Sequence, residues 1–349
     1  MGACSCSFHG YRREDLPIGR NRIVAIRVYA VIPVFNGIEH TLSMVTHLRQ
    51  LMPPKSKIIV VDDGSTDGTA DKLREAFPDV VVLAGDGNLW WSGGINLGSE
   101  YALNDDADYV LFLNNDIILE DDFLTELLRG VEEFPEALVA SKILNADEPW
   151  KIWSMGGKVN WALGSHCVLG CGQKDGDQWQ EPLDVDWLPG MSLLVPVEVF
   201  RRGIWIDEEA FPQYSGDSDF SIRAQKAGYR LIVWPRSVVY NKVKNSGVTS
   251  KLLLRTERIS FKMFVESLIS IKSSSAFCTF GRFVIRHAPV WAWPLTLGRF
   301  YGFYFLKCLQ VWLSIPGIRD YITRRKSLNN TPIPKIELEE EQSADQRFN

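Results

Sequence analysis

The 349-residue chain is 46% hydrophobic and 23% charged, a composition that excludes collagen-like, intrinsically disordered and disulfide-rich proteins. Its net charge of −5 is unevenly distributed: residues 1–250 carry 23 basic and 35 acidic side chains, whereas residues 251–326 carry 13 basic and 3 acidic ones. A basic segment joined to an acidic body indicates either an anionic surface as a partner or a basic face that packs on the body. The six cysteines lack zinc-site spacing, which favours reduced thiols in the cytoplasm.

Strands and helices are predicted to alternate along the first two thirds of the chain. Short β-branched runs predict strands over residues 23–34, 58–61, 80–83, 109–113, 231–234 and 238–240. Apolar residues at helical spacing predict helices after Gly37, through Leu73, over 120–134 and over 217–227. Between residues 150 and 196, short strands punctuated by glycine indicate a mixed or antiparallel layer.

This alternation predicts an α/β fold with a doubly wound, mostly parallel central sheet. We divide the chain into a loose leader (1–21), the α/β domain (22–250), a basic, aromatic-rich helical extension (251–330) and an acidic flexible tail (331–349). The longest charge-free apolar stretch of the extension covers residues 288–298, which is too short to span a membrane. It is compatible with a segment that lies on a membrane surface.

The first polar cluster, Asn114-Asn115-Asp116, directly follows the strand predicted over 109–113. Ligands of such sheets bind beyond the carboxyl ends of the strands. A carboxylate held at a strand end is a good ligand for Mg²⁺ or Mn²⁺, hard cations that also bind phosphate oxygens. On its own the cluster is more often a polar turn that precedes a helix.

Asp62-Asp63-Gly64-Ser65 ends another predicted strand, and a carboxylate there could accept a hydrogen bond from the imide of uracil or thymine. The simpler interpretation is a helix N-cap formed by the residues that follow. Further along, residues 88–99 are predicted to form a glycine-rich loop and helix. In this region Gly93 and Gly94 would let the backbone approach a ligand closely. Its adjacent tryptophans either stack on a sugar or fill the core.

Asp217 opens the helix predicted over 217–227, where the helix dipole favours the ionised carboxylate. Taken alone, this residue is an N-cap. The functional alternative is a base that removes the proton of an attacking hydroxyl.

The ordered set of these segments resembles the family 2 glycosyltransferases, in particular the rhamnosyltransferase-like branch. The resemblance covers about residues 28–245 and rests on the segments 32–36, 60–67, 88–98, 113–116, 187–191, 207–208 and 216–219. It implies a GT-A fold and an inverting, single-displacement transfer with Asp217 as general base. The residues implied in donor binding are Pro33, Phe35, Asn36, Asp63, Asn88, Gly93, Gly94, Asn96 and Asn115.

The resemblance also implies an acceptor site at Trp187, Gly190 and Met191, and a site for Mg²⁺ or Mn²⁺ at Asp116 with Asn114 and Asn241. Two positions depart from the family pattern. Gly216 stands where a glutamate is usual, and Asn241 stands where a histidine often follows the last strand. The first departure removes a carboxylate, and the second predicts a weaker or differently built metal site.

The sequence therefore predicts transfer of a sugar, from dTDP-rhamnose or a UDP-sugar, to a cell-surface polysaccharide or glycolipid. The expected location is the cytoplasm, peripheral to the inner face of the plasma membrane, with residues 251–330 on anionic lipid. A homodimer remains open, and no nucleic-acid partner is expected. The main alternative is a non-catalytic nucleotide-sugar or glycan-binding protein; a dinucleotide-dependent oxidoreductase is disfavoured because no G-x-G-x-x-G loop follows the first strand.

Overall fold

A computed structural model describes residues 26–242 and 261–312. The predicted leader and acidic tail lie outside these residues, as do parts of the predicted extension. The helices are α1 (Ile38–Leu51), α2 (Thr69–Ala76), α3 (Trp90–Asn104), α4 (Phe123–Glu133), α5 (Val197–Arg201), α6 (Gly216–Lys226), α7 (Phe261–Ile269), α8 (Arg282–His287) and α9 (Trp293–Trp312).

The strands are β1 (Val28–Val34), β2 (Lys57–Asp62), β3 (Val81–Ala84), β4 (Tyr109–Leu113), β5 (Ile117–Leu119), β6 (Ala137–Asn145), β7 (Ile152–Ser154), β8 (Gly157–Asn160), β9 (Ser165–Val168), β10 (Leu183–Asp184), β11 (Ser192–Pro196) and β12 (Arg230–Asn241). The main sheet has the order β10-β12-β6-β11-β4-β1-β2-β3. The half formed by β3, β2, β1 and β4 is parallel, whereas β11 runs antiparallel to both β4 and β6. The α/β prediction is confirmed, and β8 and β9 form a separate antiparallel hairpin.

Two hydrophobic cores lie on opposite faces of the main sheet. Along β1, Ala30 and Ile32 point into one core with α1, α2 and α4, while Val31 points into the other core with α3, α5 and α6. This alternation follows from the two-residue period of a strand, and it explains why β1 is apolar throughout. Helices on both faces leave the ends of the strands as the place for a ligand.

The C-terminal helices pack against the α6 side of the domain. Phe283 and Val284 of α8 are buried in a third apolar cluster that also contains Trp187, Phe211 and Ile222. Arg286 of the same helix pairs with two carboxylates of the α/β domain. Part of the basic extension therefore packs on the acidic body, which is the second of the two interpretations of the charge asymmetry.

Candidate active site

Three polar segments predicted at strand ends lie at one edge of the sheet. Asn36 follows β1, Asp63 follows β2 and Asn114 follows β4, and these strands are adjacent and parallel in the order β4-β1-β2. The fold alone therefore brings side chains together that are up to 78 residues apart in sequence.

The turn after β1 is fixed by hydrogen bonds to the turn after β2. Asn36 has a positive φ of 49°, its backbone N–H donates to Ser65 Oγ at 2.9 Å, and its Oδ1 accepts from the Thr66 N–H at 2.8 Å. Phe35, immediately before it, is 61% exposed. An exposed phenyl ring on so constrained a turn offers a flat apolar face toward this edge of the sheet.

Asp63 holds the start of α3. Its Oδ1 accepts from the Gly87 N–H at 2.8 Å and its Oδ2 accepts from the Trp90 N–H at 2.9 Å. Asp63 is 6% exposed, so these two bonds satisfy a buried carboxylate and fix the segment between β3 and α3. Contact of Asp63 with a base stays a prediction.

The region of residues 88–99 was predicted as a glycine-rich loop and helix, and in the structure α3 begins at Trp90. A Cβ on Gly94 would lie 2.9 Å from Cβ of Pro33, so this glycine lets the helix pack closely on β1. The Gly93 N–H donates to the Leu89 carbonyl oxygen at 2.9 Å. The two glycines thus serve helix packing in this structure, and sequence could not separate this role from ligand approach.

Asn88 lies between Gly87 and Trp90, whose N–H groups both donate to Asp63, whereas Asn96 lies further along α3. The Asn96 Nδ2 donates to the Ile206 carbonyl oxygen at 2.8 Å and to Glu208 Oε2 at 2.7 Å, so this side chain joins α3 to the segment before α6. Asn88 is exposed in the turn before α3. Contact of Asn88 and of Asn96 with the donor stays a prediction.

Trp91 is not among the predicted site residues, but it connects Asn114, at the end of β4, to the region of Asp217. Its Nε1 donates to Asn114 Oδ1 at 3.0 Å. A Cβ on Gly190 would approach two atoms of the Trp91 six-membered ring closer than 3.0 Å, so Gly190 lies directly on the indole. The Trp-Trp dipeptide was the available signal, but the core and the site are equally good explanations of such a pair.

Asp217 lies in the first turn of α6, facing the segment that precedes β11. Its Oδ2 accepts from the Gly190 N–H at 2.9 Å, and its Oδ1 accepts from the Ser218 N–H at 2.8 Å. Burial raises the pKa of Asp217 above its usual value, against the hydrogen bonds from Gly190 and Ser218, which lower it. A carboxylate with a raised pKa is a stronger base than an exposed aspartate.

The predicted metal ligands are one carboxylate and two amides. The strand ladder sets Asn241 of β12 opposite Ile117, the residue after Asp116. Asn114 Oδ1 already accepts from Trp91, and no group of three His, Cys, Asp or Glu side chains suited to a metal occurs within residues 26–242 and 261–312. Oxygen donors with a single carboxylate still suit Mg²⁺ or Mn²⁺, which commonly complete their coordination with substrate phosphates and water.

Asn115, predicted to bind the donor, donates from Nδ2 to Thr41 Oγ1 at 3.0 Å and so ties the β4 end to α1. Trp187, predicted to bind the acceptor, is only 6% exposed. It stacks on His166 with ring centroids 4.9 Å apart. Trp187 therefore packs in the interior, and Met191 is half-buried. Contact of either residue with an acceptor stays a prediction.

Gly216, which replaces the usual glutamate, has no room for a side chain. A Cβ there would lie 2.5 Å from Ser92 Oγ and 3.1 Å from the Phe211 carbonyl oxygen. Ser92 and Phe211 are themselves joined by a hydrogen bond of 2.5 Å. The packing of α3 against the segment before α6 therefore leaves no space for a glutamate at position 216.

The parallel strand ends, the mixed sheet and the helices on both faces define a GT-A-like fold. The fold resembles GalNAc-T7, crystallised with UDP, GalNAc and Mn²⁺, with a TM-score of 0.51 and 14% identity over 62% of this chain. The matched part spans 43% of that protein.

Residues 29–183 match the family described as Glycosyl transferase family 2, so the chain carries a domain of this family. The chain is 26% identical over 211 residues to the N-acetylglucosaminyl-diphospho-decaprenol L-rhamnosyltransferase of Mycobacterium tuberculosis. The aligned part covers 54% of this chain and 68% of the relative. The chain is also 23% identical to the undecaprenyl-phosphate mannosyltransferase of Micrococcus luteus, over 65% of this chain and 90% of that protein. The predicted family is confirmed.

Proposed function

We propose that this protein transfers a sugar from a nucleotide diphosphate donor, dTDP-rhamnose or a UDP-sugar, to a hydroxyl of a glycan or glycolipid, with inversion at the anomeric carbon. The observation that carries the proposal is the position of Asp217. Its carboxylate is half-buried, has a raised pKa and is joined through Gly190 and Trp91 to Asn114 at the sheet edge.

In the proposed reaction the acceptor hydroxyl attacks the anomeric carbon while the bond from that carbon to the diphosphate breaks. Asp217 takes the hydroxyl proton, and the nucleotide diphosphate leaves with the bonding electrons. A divalent cation bound by Asp116, with amide oxygens of Asn114 and Asn241, would neutralise charge on the departing diphosphate. Because the pKa of Asp217 is raised, Asp217 becomes protonated as the pH falls, and it stops acting as a base at a higher pH than an ordinary aspartate would.

For the donor we propose that the exposed Phe35 ring packs on the base, next to Pro33 and the turn held by Asn36. Stacking on an aromatic face tolerates any base, so selection of a pyrimidine requires hydrogen bonds from the neighbouring turn after β2. Asp63 begins that turn, and both its oxygens keep lone pairs beyond the two backbone bonds.

We also propose that the C-terminal helices rest on an anionic membrane surface. Val290 and Trp291 are 70% and 64% exposed, and α9 exposes Leu295, Phe303 and Leu306 on one side. Residues 267–312 contain no Asp or Glu but five Lys or Arg. Exposed apolar side chains beside basic ones are typical of segments that lie in a lipid interface. None of the helices in the described parts of the chain is long and apolar enough to cross a membrane.

Flotation with vesicles tests this surface. We expect the full chain to bind vesicles that contain phosphatidylglycerol, and Trp291→Ser with Val290→Ser to reduce binding without changing the melting temperature. Equal binding of the wild type to neutral and anionic vesicles would contradict the electrostatic part of the proposal. Absence of binding to either would contradict the surface as a whole.

Calorimetric titration with UDP, dTDP, GDP and NAD, first with Mn²⁺ and then with EDTA, tests the donor class. We expect one pyrimidine diphosphate to bind and the EDTA to weaken that binding. Gly216 favours one competing function, a non-catalytic nucleotide-sugar or glycan-binding protein, because the structure leaves no room for the usual second carboxylate. Binding of donor without any transfer would support that competitor, and binding of none of the nucleotides would contradict the proposed function.

A further inference from the structure

A buried carboxylate, Asp219, binds three basic side chains from two distant parts of the chain. Arg223 Nε, one turn along α6, donates to Asp219 Oδ2 at 2.8 Å. From α8, Arg286 Nη1 lies 3.1 Å and His287 Nε2 lies 2.9 Å from Asp219 Oδ1. We call these four residues the Asp219 cluster.

The carboxylate at the centre of the cluster is buried, whereas the side chains of Arg223 and Arg286 are 29% and 33% exposed. The side chain of Asp219 is 0% exposed and that of His287 is 2% exposed. Burial alone would raise the pKa of Asp219, but the hydrogen bond from His287 and the charge of Arg223 outweigh it and hold the pKa below its usual value. A buried ionised carboxylate depends on its partners, because the solvation that it has lost must be replaced by them.

Asp219 lies two residues from Asp217, in the first turn of α6. Ser215, at the N-cap of α6, adopts the left-handed conformation with a φ of 66°, and its side chain makes no capping bond. Such a conformation is unfavourable for a residue with a Cβ and needs the surrounding structure to hold it. The Asp219 N–H donates to the Ser215 carbonyl oxygen at 2.8 Å, so Asp219 belongs to the same turn as the strained cap.

The basic partners on α8 are also held by contacts other than those with Asp219. Phe283 of the same helix is 1% exposed within the third apolar cluster. Arg286 also pairs with Asp207 Oδ2 at 2.7 Å and lies 5.0 Å from the centroid of the Phe211 ring. Arg286 therefore contacts both Asp219 and the segment that leads into α6, from a helix fixed by its own packing.

We propose that Arg286 and His287 are positioning residues for the catalytic aspartate: by binding Asp219 they fix the first turn of α6, and with it the carboxylate of Asp217. This inference rests on the proposed role of Asp217 as base. It makes the C-terminal segment a part of the catalytic apparatus, although neither α8 residue contacts the reacting groups.

Arg286→Met in the full-length chain is the direct test, because methionine keeps the unbranched stem and removes the charge and the donors. We expect kcat to fall about 100-fold, the loss associated with a displacement of roughly 1 Å of a reacting group, while the donor KM stays within about three-fold. Arg286→Lys retains the charge and should recover part of kcat. His287→Gln, which keeps a donor, should retain more activity than His287→Leu.

Arg282→Met is the matched control. Arg282 lies on the same helix and its Nη1 donates to the Ala210 carbonyl oxygen at 2.8 Å, but it makes no ion pair with the Asp219 cluster in the described residues. Arg282→Met removes one positive charge, as Arg286→Met does, and should leave kcat unchanged. An equal loss of kcat in both variants would show a general effect of α8 and would overturn the proposal.

Hydrogen–deuterium exchange of the peptide over residues 213–221 provides a readout that needs no activity. We expect faster exchange there in Arg286→Met than in the wild type and in Arg282→Met. Unchanged exchange and unchanged kcat in Arg286→Met would overturn the positioning role. If the folded wild type transfers no sugar, the proposed function fails, and exchange still decides whether the cluster fixes the first turn of α6.

Discussion

Replacing Gly190 with alanine tests whether Trp91 and Asp217 form one site. The new Cβ would lie closer than 3.0 Å to two atoms of the Trp91 ring and 3.2 Å from Cβ of Asp217. Carbon atoms in contact are normally 3.5–4.0 Å apart, so the ring, the segment or the first turn of α6 must move by roughly 1 Å. The Gly190 N–H, which donates to Asp217 Oδ2, moves with the backbone.

A displacement of roughly 1 Å at a catalytic group lowers turnover about 100-fold, so we expect Gly190→Ala to lose that much kcat in a transfer assay. The donor dissociation constant should rise by no more than about five-fold, the loss expected if the Trp91–Asn114 bond breaks, because Phe35 and Asp63 lie on other strand ends. Gly298→Ala is the control, since a Cβ there meets nothing within 4 Å. Wild-type kcat in folded Gly190→Ala would refute the link between Trp91 and Asp217.

Three further substitutions test the support of the site. Trp91→Phe keeps an aromatic ring but removes the indole N–H that donates to Asn114, a bond worth ~1 kcal/mol. We expect metal-dependent nucleotide binding to weaken about five-fold in calorimetry. Asp63→Asn leaves one of two buried backbone N–H groups without an acceptor, and urea unfolding should show a loss of ~1–3 kcal/mol. Gly216→Glu should lower the melting temperature and not raise kcat, because its Cβ would lie 2.5 Å from Ser92 Oγ; a stable, faster Gly216→Glu would contradict this packing.

Most of the α/β architecture was predictable because strands buried on both faces leave a local signal. The continuous apolar run of β4 predicted Tyr109–Leu113 at the observed bounds. Gly228 follows α6 with a φ of 103°, the left-handed conformation in which a glycine commonly ends a helix. The two last predicted strands are instead one, β12, with a register shift between Trp234 and Val238. An irregularity within a strand is set by its neighbours, so the sequence cannot show it.

The exact start of α3 could not be predicted for a related reason. Trp-Trp-Ser-Gly-Gly has poor helix propensity, and glycine within a helix normally destabilises it. Tertiary contacts outweigh this, since Asp63 accepts from the Trp90 N–H and Gly94 allows close packing on Pro33. Neither contact is visible in the local sequence.

The strand-end residues of the site could be predicted because parallel topology brings them together. The connection between Asp219 and Arg286 could not, because the two residues are 67 positions apart and each has an ordinary local explanation. The basic extension carried a charge signal, but charge alone did not distinguish packing on the body from binding to lipid. Arg286 shows packing on the body, and the exposed apolar side chains of α9 form the basis of the lipid proposal.

The role of Asp217 as general base is tested most directly by Asp217→Asn, assayed for single-turnover sugar transfer and for nucleotide binding on the same preparation. Asparagine keeps the acceptor for the Gly190 N–H but cannot take a proton, so we expect transfer to fall by about 10²–10⁴-fold with nucleotide affinity unchanged. Transfer at the wild-type rate by folded Asp217→Asn would contradict the account.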